Sequence, residues 1–185
     1  MNTSPRDTLT DGVITLHRYR HEDVEDVFAG ASESIAEIHP WMPWCHPGYG
    51  IHETQGWVSF AVSQWDAGRQ FEFVIRTVAG QQLGSGGINS LHDAHPFANL
   101  GYWIRTSQTN KGYATRATRL LAEFAFRDLR LQRVEIVAAT GNLPSQRVAE
   151  KAGAAWEGIL RNRLVIQDTP HDAVMFSFTP SDFEK

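Results

Sequence analysis

The segment Gln108-Thr109-Asn110-Lys111-Gly112-Tyr113-Ala114-Thr115 constrains this chain more than any other. A strand-like run, Asn99 to Ile104, precedes it. A stripe of helical period follows, made of Ala117, Leu120, Leu121, Phe124 and Leu131. A short polar loop that opens directly into a helix leaves backbone N–H groups without intrachain partners. Those groups and the positive end of the helix dipole make a seat for phosphate, and Lys111 and Arg116 add charge beside it.

Spacing excludes two nucleotide motifs. A P-loop requires Gly-x-x-x-x-Gly-Lys-Ser/Thr, whereas here Lys111 precedes Gly112 and the earlier glycine is missing. A dinucleotide fingerprint requires Gly-x-Gly-x-x-Gly between a strand and a helix. The cluster Gly84-Ser85-Gly86-Gly87 lies instead between two short apolar runs, where a turn or bulge fits.

At 185 residues the chain reads as one domain, 1–185, with 1–10 a flexible polar tail. No apolar run approaches the roughly 18 residues that span a membrane, and Met1 to Asp11 lacks the apolar core of a signal peptide. The single cysteine, Cys45, excludes an intrachain disulfide and suits a reducing cytoplasm, the expected location. A formal charge of −4 argues against nucleic-acid binding through a basic surface. The expected assembly is a monomer or homodimer with neither a membrane nor a nucleic-acid partner.

Periodicity predicts a mixed α/β (α+β) chain. Strands are read at Val13 to Tyr19, Phe71 to Thr77, Leu83 to Ser90, Asn99 to Ile104, Arg133 to Ala138, Trp156 to Ile166 and Ala173 to Phe178. Helices are read at His21 to Ser34, Glu53 to Trp65, from near Tyr113, and at Pro144 to Ala152, the last closed by Gly153. Between the first two helices, His39-Pro40-Trp41-Met42-Pro43-Trp44 breaks regular structure.

A second motif, Asn142-Leu143-Pro144-Ser145, follows the strand Arg133 to Ala138 and opens the last helix. The order strand, phosphate loop, helix, strand, Asn-x-x-Ser, helix, Gly resembles the GNAT family of acetyl-CoA-dependent N-acetyltransferases. Within it the chain is most similar to the RimJ/RimL type, which acetylates protein N-terminal amines, ribosomal proteins among them. Leu100-Gly101-Tyr102-Trp103-Ile104 and Trp156-Glu157-Gly158-Ile159-Leu160-Arg161-Asn162 carry the likeness further, and it is strongest from Asn99 to Phe178. The resemblance implies a single GNAT fold: a mostly antiparallel twisted sheet of about seven strands flanked by helices, splayed between strands four and five.

The family's loop pattern, Gln/Arg-x-x-Gly-x-Gly/Ala, is met at Gly112-Tyr113-Ala114, while Thr109 and Asn110 depart from it. Pyrophosphate binding rests on backbone N–H groups, so Thr109, Asn110, Lys111, Gly112, Tyr113, Ala114 and Thr115 form the implied cradle. Asn110 replaces glycine softly, because asparagine tolerates a left-handed backbone. The resemblance also implies that the pantetheine arm of acetyl-CoA pairs with Tyr102, Trp103 and Ile104. A backbone N–H near Trp103 or Ile104 would polarise the thioester carbonyl, and Asn142 would touch the arm from the other side.

The tyrosine by which many GNAT enzymes protonate the leaving thiolate falls on Ala149, so Ser145 is the candidate for contact with the sulfur. Its other reading is a helix cap. Proton removal from the amine has four candidates, Glu72, His92, Asp93 and His171, with a water chain as the alternative. Glu72 faces either the cleft or solvent, since a one-residue register shift reverses it. Where RimJ/RimL-like chains often place Glu before Leu-Gly-Tyr-Trp, this chain has Asn99.

An α-amine of pKa about 7.7–8.0 is roughly one-tenth neutral at pH 7, whereas a lysine at about 10.4 is not. A dedicated base is therefore optional for α-amines, and a protein N-terminus is the expected acceptor. A small amine (aminoglycoside, polyamine or amino-acid derivative) is the alternative, and a catalytically silent acyl-CoA-binding module is the rival. Trp41 and Trp44 line an acceptor pocket or pack a loop, and His171 orients an amine or sits in a surface turn. His39, Cys45 and His46, or His92 and His95, lack a recognised zinc spacing, so no metal is expected.

Overall fold

A computed structural model describes residues 4–92 and 94–184. Eight strands form one sheet: β1 (Thr8–Thr10), β2 (Ile14–Arg18), β3 (Phe71–Thr77), β4 (Gln82–Asn89), β5 (Phe97–Ile104), β6 (Arg133–Ala139), β7 (Ala155–Ile166) and β8 (Thr169–Phe178). Their order is β1-β2-β3-β4-β5-β6-β8-β7. Helices α1 (Val24–Ser32), α2 (Ile35–Ile38), α3 (Ile51–Asp66), α4 (Tyr113–Arg127) and α5 (Leu143–Ala152) flank it. No helix among the described residues is long and apolar enough to cross a membrane.

Every pairing is antiparallel except β5 with β6. That parallel pair holds at Phe97↔Arg133, Ala98↔Val134 and Asn99↔Glu135, and β5 then runs on from Leu100 to Ile104 without β6 beside it. The expected splay therefore lies between β5 and β6, the fourth and fifth of the strands read from the sequence. It leaves one edge of β5 with free backbone donors and acceptors.

Period-two alternation sorts the sheet's two faces. Phe71 and Phe73 of β3 turn toward α4, with ring centroids 5.7 and 5.2 Å from Phe124. Trp65, at the end of α3, closes this cluster at 5.1 and 5.0 Å from the same two rings. Val74 turns to the other face and packs with Tyr19, Val27, Val58 and Ala61 under α1 and α3. Burying these aromatic rings supplies the largest packing contributions per residue.

Most boundaries shift by one or two residues from expectation, and three differences are larger. The sheet has eight strands rather than about seven, because β1 pairs with β2 inside the expected 1–10 tail; Arg6 adds an ion pair to Asp128 at 2.7 Å. The helix expected over His21 to Ser34 becomes a short 3-10 turn, His21–Asp23, followed by α1. Asp23 accepts from Arg20 N at 2.8 Å and pairs with Arg76 at 2.9 Å, which anchors that first turn to β3. The strand expected from Ala173 begins at Thr169, so His171 and Asp172 lie within β8 rather than in a surface turn.

Candidate active site

Between β5 and α4 the chain makes a short 3-10 turn, Thr106–Gln108, closed by Gln108 N donating to Arg105 O at 2.9 Å. Two left-handed residues follow, Asn110 at φ 62° and Gly112 at φ 80°, the second being the N-cap of α4. Asparagine and glycine are the residues that hold this conformation at least strain. No side chain caps α4, and the amides of Asn110 to Thr115 take no partner among the described residues. They remain as a ring of donors at the positive end of a helix. The nearby cations are partly committed elsewhere: Lys111 Nζ donates to Gln108 Oε1 at 2.9 Å, and Arg116 pairs with Asp11 at 2.7 Å.

The free edge of β5 leads from this cradle to the start of α5. Asn142 caps α5, its Oδ1 accepting from Ser145 N at 3.2 Å, so the cap does not use the Ser145 hydroxyl. That hydroxyl lies 3.3 Å from the Tyr102 hydroxyl, which also donates to Ser145 O at 3.0 Å. Burial pushes the Tyr102 phenol up to about 12, which keeps it protonated near neutral pH. A tyrosine hydroxyl thus stands beside Ser145, supplied by β5.

On the opposite face of the sheet, Glu72 is buried at 6% exposure. Asn89 Nδ2 donates to Glu72 Oε1 at 3.2 Å, and Asn99 Nδ2 donates to Asn89 Oδ1 at 3.0 Å. Burial raises the Glu72 carboxyl to about 7, with the Asn89 hydrogen bond opposing the shift. Glu72 therefore lies on the face that carries α1 and α3, and not in open solvent.

The raised Glu72 pKa has a consequence for stability. In the unfolded chain Glu72 ionises near pH 4.5; in the folded chain it holds its proton until about pH 7. Stability should therefore fall as pH rises between these two values and stay level above them. Relative to the native chain, Glu72→Gln is expected to gain about 3 kcal/mol between pH 4 and pH 8, read from urea midpoints. An equal difference at both pH values would contradict the raised ionisation.

The loop between α2 and α3 spans the mouth of the splay. Trp44, 41% exposed, stacks near Trp103 of β5 at 5.9 Å and Tyr49 at 5.5 Å. Trp41 reaches the far wall, where a Cβ built on Gly141 would lie 3.2 Å from its Cη2. His39 Nε2 accepts from Gln167 of the β7–β8 turn at 3.1 Å, which ties the loop to that hairpin. Trp103, Trp44 and Trp41 are thus gathered around the opening between β5 and β6.

The other candidates have partners of their own. His92 stacks on His95 and Phe97 at 5.1 and 4.8 Å, at the opposite end of β5 from Tyr102. Asp93 falls outside the described residues. His171 pairs with Leu164 across the β7–β8 ladder. Cys45 is buried and its thiol pushed up to about 11, while His46 pairs with Glu53 at 2.9 Å. No group of three or more metal-ligating side chains occurs among the described residues.

Sequence reasoning missed the Tyr102–Ser145 pair and the Glu72–Asn89–Asn99 chain. The first joins residues 43 positions apart, so no local pattern announces it. The second had a signal: Asn89 and Asn99 flank the β4–β5 hairpin, where the shortest pairing sets them opposite each other.

Comparison with known proteins agrees with this geometry. A family model described as "Acetyltransferase (GNAT) domain" matches residues 14–155. The Bacillus subtilis (strain 168) protein named "Putative ribosomal N-acetyltransferase YdaF" is 36% identical over 105 residues, 57% of each chain. The match spans little more than half the length of that relative. Among solved structures, Mycobacterium smegmatis RimJ in complex with CoA-disulfide aligns with a TM-score of 0.88 at 24% identity, covering 100% of this chain and 93% of that one. RimL, the ribosomal L7/L12 alpha-N-protein acetyltransferase in complex with coenzyme A, aligns at 0.82 with 18% identity, covering 90% and 94%. At these identities the two structures establish likeness of fold.

Proposed function

The chain belongs to the GNAT acetyltransferase family, and we propose that it transfers acetyl from acetyl-CoA to a primary amine, a protein N-terminal α-amine above others. The observation that carries this reading is the ring of unpartnered amides from Asn110 to Thr115, placed at the end of an open β5 edge that runs to the Ser145–Tyr102 hydroxyl pair. Backbone donors hold pyrophosphate irrespective of the side chains at Thr109 and Asn110. The strand edge binds the pantetheine amides, and a Trp103 or Ile104 N–H polarises the thioester carbonyl. A thiol of pKa about 8.5 needs little help to leave, and a hydroxyl pair suffices to hydrogen-bond its sulfur. Two neighbours solved with CoA bound, and a relative named "Putative ribosomal N-acetyltransferase YdaF", support the cofactor and the acceptor class.

Ser145→Ala and Tyr102→Phe are each expected to lower kcat about tenfold to a hundredfold while leaving the acetyl-CoA KM within about threefold. Thiol release from acetyl-CoA, followed at saturating substrates, reads both. Unchanged turnover in both variants would remove the hydroxyl pair from the mechanism.

A further inference from the structure

The face of the sheet opposite α4 carries a cross-strand pair of glycines, Gly87 buried and Gly101 half-buried. Ser85↔Trp103, Gly87↔Gly101 and Asn89↔Asn99 are directly opposed on β4 and β5, and Glu72 of β3 opposes Gly87. Alternation sets all of these on one face. The two glycines have different reasons. At Gly87 an added Cβ would lie 2.2 Å from Glu72 Oε2, so the glycine makes room for the carboxylate to lean over it. At Gly101 an added Cβ meets nothing closer than the Asn89 and Asn99 side-chain nitrogens at 3.9 Å, and Gly101 is not among the positive-φ residues. Neither packing nor backbone conformation requires glycine there, although glycine in a strand interior weakens it.

We propose that the trough floored by Gly101 seats the acceptor amine, and that Glu72, leaning over the adjoining Gly87, takes the proton the amine must lose. This rests on the acetyltransferase reading above and deepens it. The trough runs between Trp103, whose backbone adjoins the open β5 edge, and the Glu72–Asn89–Asn99 chain. An amine nitrogen over Gly101 stands one residue pair from each. Asn89 is a positioning residue: its amide holds the carboxylate toward Gly87. The groups facing Glu72 are Asn89 and, further along the face, Tyr19, whose hydroxyl is engaged with Ser85 at 2.5 Å. Val58 and Ala61 of α3 cover Tyr19 and Val74 beside it, and no ion pair involves Glu72 among the described residues.

The ammonium gives one proton to the Glu72 carboxylate, and the freed nitrogen lone pair forms the N–C bond at the thioester carbonyl. The C–S bond breaks, sulfur leaves with its electron pair, and the second amine proton passes to it through the Ser145–Tyr102 pair. Glu72 returns its proton to water. A carboxyl near 7 takes a proton from an α-amine at an equilibrium cost of about tenfold, but from lysine at well over a thousandfold. This favours α-amines.

The test uses the full chain, acetyl-CoA and a peptide with a free α-amine and no lysine. Gly101→Leu is expected to lower kcat/KM for the peptide about a hundredfold, with the acetyl-CoA Kd within about threefold and thermal stability retained. Glu72→Gln is expected to lower kcat/KM about a hundredfold or more at pH 7 and to remove the ascending limb centred near the Glu72 pKa, again with acetyl-CoA binding intact. Normal peptide turnover in Gly101→Leu overturns the trough, and an unchanged pH profile in Glu72→Gln overturns the proton acceptor. Loss of acetyl-CoA binding in the native chain, or thiol release with no amine, overturns the acetyltransferase reading and the trough with it.

Discussion

A Gly84→Ala substitution is expected to destabilise the fold by about 4 kcal/mol or more, among the largest effects a single methyl can have. Gly84 sits at φ 155°, where L-residues are strained, and an added Cβ would lie 2.1 Å from Trp103 O and 2.9 Å from Ile104 Cα. Both contacts are backbone atoms of a central strand pair, so neither can yield without breaking the β4–β5 ladder. The residue also marks an irregularity, since the β3–β4 register shifts between Ile75 and Arg76, opposite Gly84 and Gln82. Relief would come by moving Trp103, which carries the β5 edge with it. Thermal unfolding should show a fall of about 8–16 °C for a chain of this length. Retention of the native melting temperature would mean that β4 and β5 do not approach this closely.

The second large effect concerns the cofactor. Gly112→Val is expected to weaken acetyl-CoA binding about a hundredfold, near 3 kcal/mol by calorimetric titration. At φ 80° a β-branched side chain is strained, and around the Gly112 Cβ position there is open space, nothing lying within 4 Å. On the proposed cradle, the new methyl groups would stand against the phosphate oxygens. Gly112→Asn separates the two causes, because asparagine accepts the left-handed backbone while still occupying the space. It should fold normally and still bind weakly. Native affinity in both variants would contradict the cradle.

The conformation of the loop between β5 and α4 was legible in the sequence because its information is local. Turn chemistry at Asn110 and Gly112 and the helical period from Ala117 to Phe124 lie within one strand–loop–helix unit, and the structure holds both turn residues at positive φ. Strand β1 was not legible. Its three residues, Thr8-Leu9-Thr10, are too short a run for their alternation to announce a strand, which depends on pairing with β2. The early end of α1 was hidden for a similar reason. Ser34 donates to Gly30 O at 2.7 Å and accepts from Thr106 N at 3.0 Å, so a contact 72 positions away fixes its place.

The site divides along the same line. Ser145 and Asn142 come from one short motif, and their division of labour, cap against free hydroxyl, follows from three residues of helix geometry. Glu72 was legible as a candidate but not as a buried group, since strand register decides its face and the Asn89 amide that holds it is contributed by another strand. Gly101 read only as part of a resembling string. Its meaning emerges when the Gly87↔Gly101 pairing is known, and with it the lack of any contact closer than 3.9 Å at a Gly101 Cβ.

The account's central claim is acetyl transfer to an α-amine, and thiol release from acetyl-CoA with matched peptides tests it most directly. One peptide carries a free N-terminus and no lysine; its partner is N-terminally blocked and carries a single lysine. Thiol release is expected with the first, rising with pH as Glu72 deprotonates, and release at least about a hundredfold slower with the second. Release confined to the lysine peptide or to small amines would contradict it.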